Sequence, residues 1–139
     1  VHLGFTVDTD HGMEIPVVFD ADTLSLYELT RITEALTRGT RSGKISSEKA
    51  KTCASFTVSD LGALGVEYFT PNLKAPQTGV LGVCALQRRV KEVCGKDVFY
   101  SCIPLSLTFD PRALDTTSAA KFLRDLCVSL ENFELLLFK

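Results

Sequence analysis

Val1, Leu3, Phe5 and Val7 alternate with His2, Gly4 and Thr6, the period of two that sets one face of an extended strand against a core. Asp10-His11-Gly12 has turn chemistry and apolar residues return from Ile15 to Val18, so the pattern predicts a hairpin over residues 1–18 with His11 in its turn. The period then changes. Ser25 and Glu28 have the spacing of a capping box, Leu24 and Leu29 stand at the positions of a hydrophobic staple, and Leu29, Ile32 and Leu36 recur at helical intervals. A helix is predicted from Ser25 to a stop near Gly43, and Ser46 can cap one further short turn through Lys51.

Phe56 and Val58 oppose Ser55, Thr57 and Ser59, which predicts a strand over residues 54–59. Residues 60–77 hold Gly62, Gly65, Pro71 and Pro76 without sustained period and read as an ordered loop, a length that in a small domain is functional or packed against a partner. The unbroken apolar run Gly79 to Leu86 predicts a strand covered on both faces, with Gly79 and Gly82 marking close backbone approach. A charged turn, Arg88 to Lys96, then leads to a long strand from Val98 to Phe109, with Pro104 at an edge or bulge. Ala119, Phe122, Leu123, Leu126, Cys127 and Leu130 predict a helix over about 116–130 with Thr116 or Thr117 as N-cap. The apolar tail Glu134 to Phe138 must dock, on its own core or on a neighbouring subunit.

The chain has 139 residues, 45% hydrophobic and 23% charged, the composition of one globular domain able to bury a core unaided. A formal charge of −2 argues against a nucleic-acid partner, because phosphate binding needs concentrated Lys and Arg, and Arg88, Arg89 and Lys91 are too few. No apolar run is long enough for a membrane helix and no signal peptide opens the chain, so an intracellular domain is expected. Cys53, Cys84, Cys94, Cys102 and Cys127 are odd in number and form no C-x-x-C pair, which supports neither a disulfide framework nor a zinc site and points to a reducing compartment. Cys84 and Cys102, on predicted strands, read as small buried apolar residues. With only His2 and His11 present, any histidine base or metal ligand has two candidates. One lies in a strand and the other in a turn.

The predicted elements compose an α+β or mixed-sheet fold, and four ordered segments resemble the catalytic domain of the dihydrolipoyl acyltransferases, the core of 2-oxoacid dehydrogenase complexes. They are Val1-His2-Leu3-Gly4 through Gly12-Met13-Glu14-Ile15-Pro16 to Asp22; Ser55-Phe56-Thr57-Val58-Ser59-Asp60-Leu61-Gly62; Phe69-Thr70-Pro71 with Pro76-Gln77 and Val80-Leu81-Gly82-Val83; and Leu105-Ser106-Leu107-Thr108-Phe109-Asp110-Pro111-Arg112-Ala113-Leu114-Asp115. The resemblance implies a chloramphenicol acetyltransferase-like mixed sheet with helices packed on it. It is a single acyltransferase-like core domain over 1–139, corresponding to the C-terminal part of the family domain and so shortened on its N-terminal side.

The resemblance also implies a chemistry. The family exchanges acyl groups between the thiols of coenzyme A and a lipoyl arm, with the histidine of a D-H-R-x-x-D-G motif as general base. Here the motif reads Asp110-Pro111-Arg112-Ala113-Leu114-Asp115-Thr116. Proline carries no titratable side chain, and a positioned base is worth about 10²–10⁴-fold in rate, so no catalytic residue is expected in Asp110, Pro111, Arg112 and Asp115. Arg112 and Asp115 are expected to pair and hold the strand-to-helix corner. Ser59 takes the position whose hydroxyl stabilises the family's oxyanion, either as a vestigial donor or as a locally bonded strand serine.

Two functions follow from the resemblance. The first is a non-catalytic structural subunit of a 2-oxoacid dehydrogenase complex, of pyruvate most naturally, similar to protein X. It would need no cofactor, would assemble as a homotrimer or with the true acyltransferase core, and would reach dihydrolipoamide dehydrogenase through regions outside this chain. Its location would be the mitochondrial matrix. The alternative is an active or diverged acyltransferase that transfers acyl groups between coenzyme A and lipoyl, located in the bacterial cytoplasm.

Overall fold

The computed structural model describes residues 1–45 and 54–137; the turn expected over Ser46–Lys51, Cys53 and the tail residue Phe138 lie outside them. The first strands are β1 (Leu3–Phe5), β2 (Val7–Thr9), β3 (Gly12–Glu14) and β4 (Val17–Val18). They realise the hairpin expected over 1–18, but split between two sheets. β1 pairs antiparallel with β4, while β2 and β3 form a separate ribbon. The break falls at Pro16, which has no N–H to give to a ladder and contributes only its carbonyl, accepting from the Phe5 N–H at 3.1 Å.

Helix α1 (Leu26–Arg41) starts as expected: Ser25 Oγ accepts from the Glu28 N–H at 3.3 Å and Glu28 Oε2 accepts from the Ser25 N–H at 2.8 Å. It stops just before Gly43, whose φ of 68° is the left-handed conformation that ends helices. The remaining strands are β5 (Phe56–Asp60), β6 (Gly79–Val83), β7 (Gln87–Val93), β8 (Lys96–Cys102) and β9 (Leu105–Phe109). Two helices close the described chain, α2 (Thr116–Glu131) and the short α3 (Phe133–Leu137).

The main sheet has the order β4-β1-β5-β6-β9, with β1, β5 and β6 mutually parallel and the two edge strands antiparallel to them. This is the expected α+β mixed sheet. One face, carrying Phe56, Leu81, Leu107 and Phe109, is covered by α2, with the Phe56 and Phe122 rings edge to face at 6.0 Å. The other face, carrying Thr57, Ser59 and Val80, is covered by the 61–78 segment and by Met13 and Ile15. The loop expected over 60–77 therefore packs on the sheet.

Two sequence expectations are corrected. The charged stretch Arg88 to Lys96 is not a turn: residues 87–93 form β7, which pairs with β8 through a two-residue turn at Cys94-Gly95, both at positive φ (52° and 75°). Nearly every residue of this ribbon is exposed, so no apolar alternation marks it, and Cys-Gly is not one of the common hairpin dipeptides. The single strand expected over Val98–Phe109 is broken at Pro104. β8 pairs with β7 and β9 with β6, and the Pro104 carbonyl accepts from the Cys84 N–H at 3.1 Å. Of the apolar tail, which could dock on its own core or on a neighbouring subunit, Leu135 is exposed.

Candidate functional site

Ser59 lies on β5, in register with Gly82 on β6 and, through it, with Ser106 on β9. Its side chain is 6% exposed and lines a cavity of about 290 Å³. The strand alternation that puts Ser59 on this face puts Thr57 there too, and Thr57, 2% exposed, donates to Gln77 Oε1 at 2.7 Å. Ser59 Oγ receives the Thr6 hydroxyl at 3.5 Å, the outer limit of hydrogen bonding. That bond is weak and comes from the segment between β1 and β2, and the hydroxyl borders the cavity. Phe69, Pro71 and Asn72 form the opposite wall. Gly82 admits that wall: a Cβ there would stand 2.4 Å from Ser106 Oγ and 3.0 Å from the Phe69 ring. The close approach expected at Gly79 and Gly82 is made by Phe56 at the first and by Phe69 and Ser106 at the second.

The motif Asp110-Pro111-Arg112 with Asp115 lies elsewhere. Phe109 is in register with Gly79 and so with Phe56, while Ser59 stands three residues further along β5. Two strand spacings and three residue rises separate the Ser59 and Phe109 backbones by about 14 Å, and the chain leaves β9 away from the cavity. None of the four motif residues lines it. One copy of this chain therefore does not bring Ser59 and Pro111 together.

At that corner Asp110 receives the Arg112 guanidinium through Nη2 at 2.6 Å and Nε at 3.0 Å, together with the Arg112 N–H at 2.9 Å. These bonds stabilise the charged carboxylate and hold Asp110 at a pKa of about 2. The ion pair expected between Arg112 and Asp115 is corrected to Arg112 with Asp110. Asp115 instead is the N-cap of α2, accepting from the Ser118 N–H at 3.0 Å and the Ser118 hydroxyl at 2.5 Å, which holds its pKa below the usual carboxylate range. The caps expected at Thr116 or Thr117 lie one or two residues too late. Pro111 and Arg112 are exposed.

Neither histidine approaches the cavity. His2 Nδ1 accepts from the Asp20 N–H at 3.1 Å, tying the start of β1 to the turn after β4, and His11 is exposed in the β2–β3 turn. Cys84 is buried immediately after β6, whereas Cys102 is only half-buried. Among the described residues no group of three His, Cys, Asp or Glu could hold a metal ion, and no helix is long and apolar enough to cross a membrane. Sequence reading missed Gln77 and Lys74 as cavity residues. Thr57 could have been found from its shared strand face with Ser59, and Gln77 stands in a family-like segment, but nothing local marks Lys74, and both reach the cavity through the fold of the 61–78 segment.

Comparison with known proteins matches residues 1–138 to the model of the 2-oxoacid dehydrogenases acyltransferase family (catalytic domain). The dihydrolipoyllysine-residue acetyltransferase component of the acetoin cleaving system of Bacillus subtilis is 41% identical over 132 residues, 94% of this chain and 33% of that protein. The corresponding component of the pyruvate dehydrogenase complex of Mycoplasma capricolum is 33% identical over 123 residues, 88% of this chain and 28% of that protein. The chain thus spans about a third of the length of these relatives. Among solved structures, the dihydrolipoamide acetyltransferase of Azotobacter vinelandii, studied for the roles of a serine, a histidine and an asparagine in its catalytic mechanism, superposes with a TM-score of 0.88 at 36% identity, covering 99% of this chain and 56% of that one. The cubic core of the pyruvate dehydrogenase multienzyme complex superposes with a TM-score of 0.86 at 35% identity, with the same coverage.

Proposed function

Since this chain belongs to the 2-oxoacid dehydrogenase acyltransferase family (catalytic domain), we propose that it serves such a complex as a non-catalytic, protein X-like subunit of the core. One observation carries the reading: Pro111 stands where the family's transfer chemistry needs a base. The serine, histidine and asparagine studied in the Azotobacter enzyme are separated along its chain by the same two intervals that separate Ser59, Pro111 and Asp115 here. The middle position has lost its imidazole.

Thiol-to-thioester exchange requires that the attacking thiol give up its proton, because the thiolate is the nucleophile. Proline accepts no proton, and the two histidines of the described fold are held away from the cavity. What remains is scaffold. The Ser59 hydroxyl, the Asp115 cap and the Asp110–Arg112 pair preserve the shape of the sheet end and the corner without the proton transfer. Because Ser59 and the 110–115 corner are at opposite ends of the strands, any joint site would form between copies, which supports a role within a trimer or a mixed core with the active acyltransferase. Contacts to dihydrolipoamide dehydrogenase belong to regions outside this chain. The reading needs no coenzyme A and no lipoyl group on this chain.

The test is acetyl transfer from acetyl-coenzyme A to dihydrolipoamide by the purified protein, alongside the mass of its native assembly. Transfer at the level of the uncatalysed reaction, with a trimer or a mixed core by mass, is the expected result. Robust turnover would establish the alternative, an active acyltransferase with another base.

A further inference from the structure

The cavity in front of Ser59 carries a charge pattern that the structural role does not use. Its volume of about 290 Å³ is at the small end of those that take organic ligands. Three of its lining side chains, Thr57, Ser59 and Gln77, are more than nine-tenths buried, so its floor is rigid and built. Thr57 occupies Gln77 Oε1 at 2.7 Å, and among the described residues the Gln77 amide N–H groups have no partner. Asn72 and Lys74 also line the cavity. No Asp or Glu lines the cavity, and Lys74 has no carboxylate within ion-pairing distance among the described residues.

The site therefore offers one uncompensated positive charge, several N–H and O–H donors, and apolar surface from Ile15, Leu61, Phe69 and Val80. A single ammonium balances a single negative charge, and the apolar walls suit a short hydrocarbon tail better than a fully hydrated anion. We propose that this cavity binds a short-chain monocarboxylate, its carboxylate on Lys74 and its tail against the Ile15, Phe69 and Val80 wall. Binding requires no base, so it is independent of whether the chain transfers acyl groups.

Titration calorimetry of the full chain with butanoate, butanamide and inorganic phosphate tests this. Butanoate is expected to bind at least about tenfold more tightly than butanamide and than phosphate. Lys74→Gln should erase the preference for the acid over the amide, and Lys74→Arg should keep it. Lys74 is exposed, and a circular-dichroism melt matching the parent verifies that each variant is folded. Equal binding of acid and amide, tighter binding of phosphate, an unchanged preference in Lys74→Gln, or no heat with butanoate at millimolar concentration would each overturn the proposal.

Discussion

Arg112 folds back on Asp110, two residues before it, with Nη2 2.6 Å from Oδ2 and Nε 3.0 Å from Oδ1, and leaves Asp115 to the helix that follows. Pro111 sits between the paired residues. With φ restrained by its ring, it suits the reversal that lets its two neighbours face one another, and the Ala113 N–H closes the turn on the Asp110 carbonyl at 3.0 Å. Pro111 is thus part of a structural turn held by its two neighbours.

This pair has an acid-side signature. Asp110 titrates at about 2 in the folded chain against an ordinary 3.8, so the folded state holds the proton less tightly than the unfolded one. Its contribution to stability is complete above about pH 4 and is lost as the pH falls through the folded value near 2. Thermal unfolding of the parent and of Asp110→Asn, followed by circular dichroism, should show a parent advantage at pH 6 that is much reduced at pH 2 and vanishes below it. An advantage independent of pH would mean that Arg112 is not the cause.

Removing the α2 cap should cost stability without touching the sheet. Asp115→Ala leaves the Ser118 N–H without its acceptor and is expected to lower stability by about 1 kcal/mol, whereas Asp115→Asn, also a good N-cap, should retain most of it. Urea unfolding midpoints of the two variants give the comparison.

The buried bond between Thr57 and Gln77 should behave asymmetrically. Gln77→Leu strands the Thr57 hydroxyl in a site only 2% exposed, at a cost of about 1–3 kcal/mol. Adding Thr57→Val to that variant removes the unpaired hydroxyl and should recover part of the loss. Chemical unfolding of the two single variants and the double completes the cycle.

Gly82→Ala tests the close packing of the cavity wall. The new methyl meets Ser106 Oγ at 2.4 Å and the Phe69 ring at 3.0 Å, so overpacking should cost about 1–3 kcal/mol. Adding Ser106→Ala removes the nearer clash together with the Ser106 bond to the Phe69 carbonyl. Part of the lost melting temperature should return if sterics dominate, and none if the hydrogen bond matters more.

Where one element's own residues carry the signal, the chain is legible without its fold. Ser25 and Glu28 mark the start of α1 because their bonds close within four residues, Gly43 marks its end, and the helical recurrence of Phe122, Leu126 and Leu130 marks α2. The alternation on β5 likewise puts Thr57 and Ser59 on one face, and that Pro111 carries no titratable side chain is visible in the residue itself. Sequence could not show the β7–β8 ribbon, whose residues are exposed on both faces and so have no period. Nor could it show that Arg112 turns to Asp110 and not to Asp115, which depends on how the chain leaves β9. Distances between elements are set by strand register, and register is a property of pairs of strands. That is why Gln77 reaches Thr57, twenty residues earlier in the chain, and why Ser59 on β5 and Pro111 just beyond β9 end up toward opposite ends of the strands.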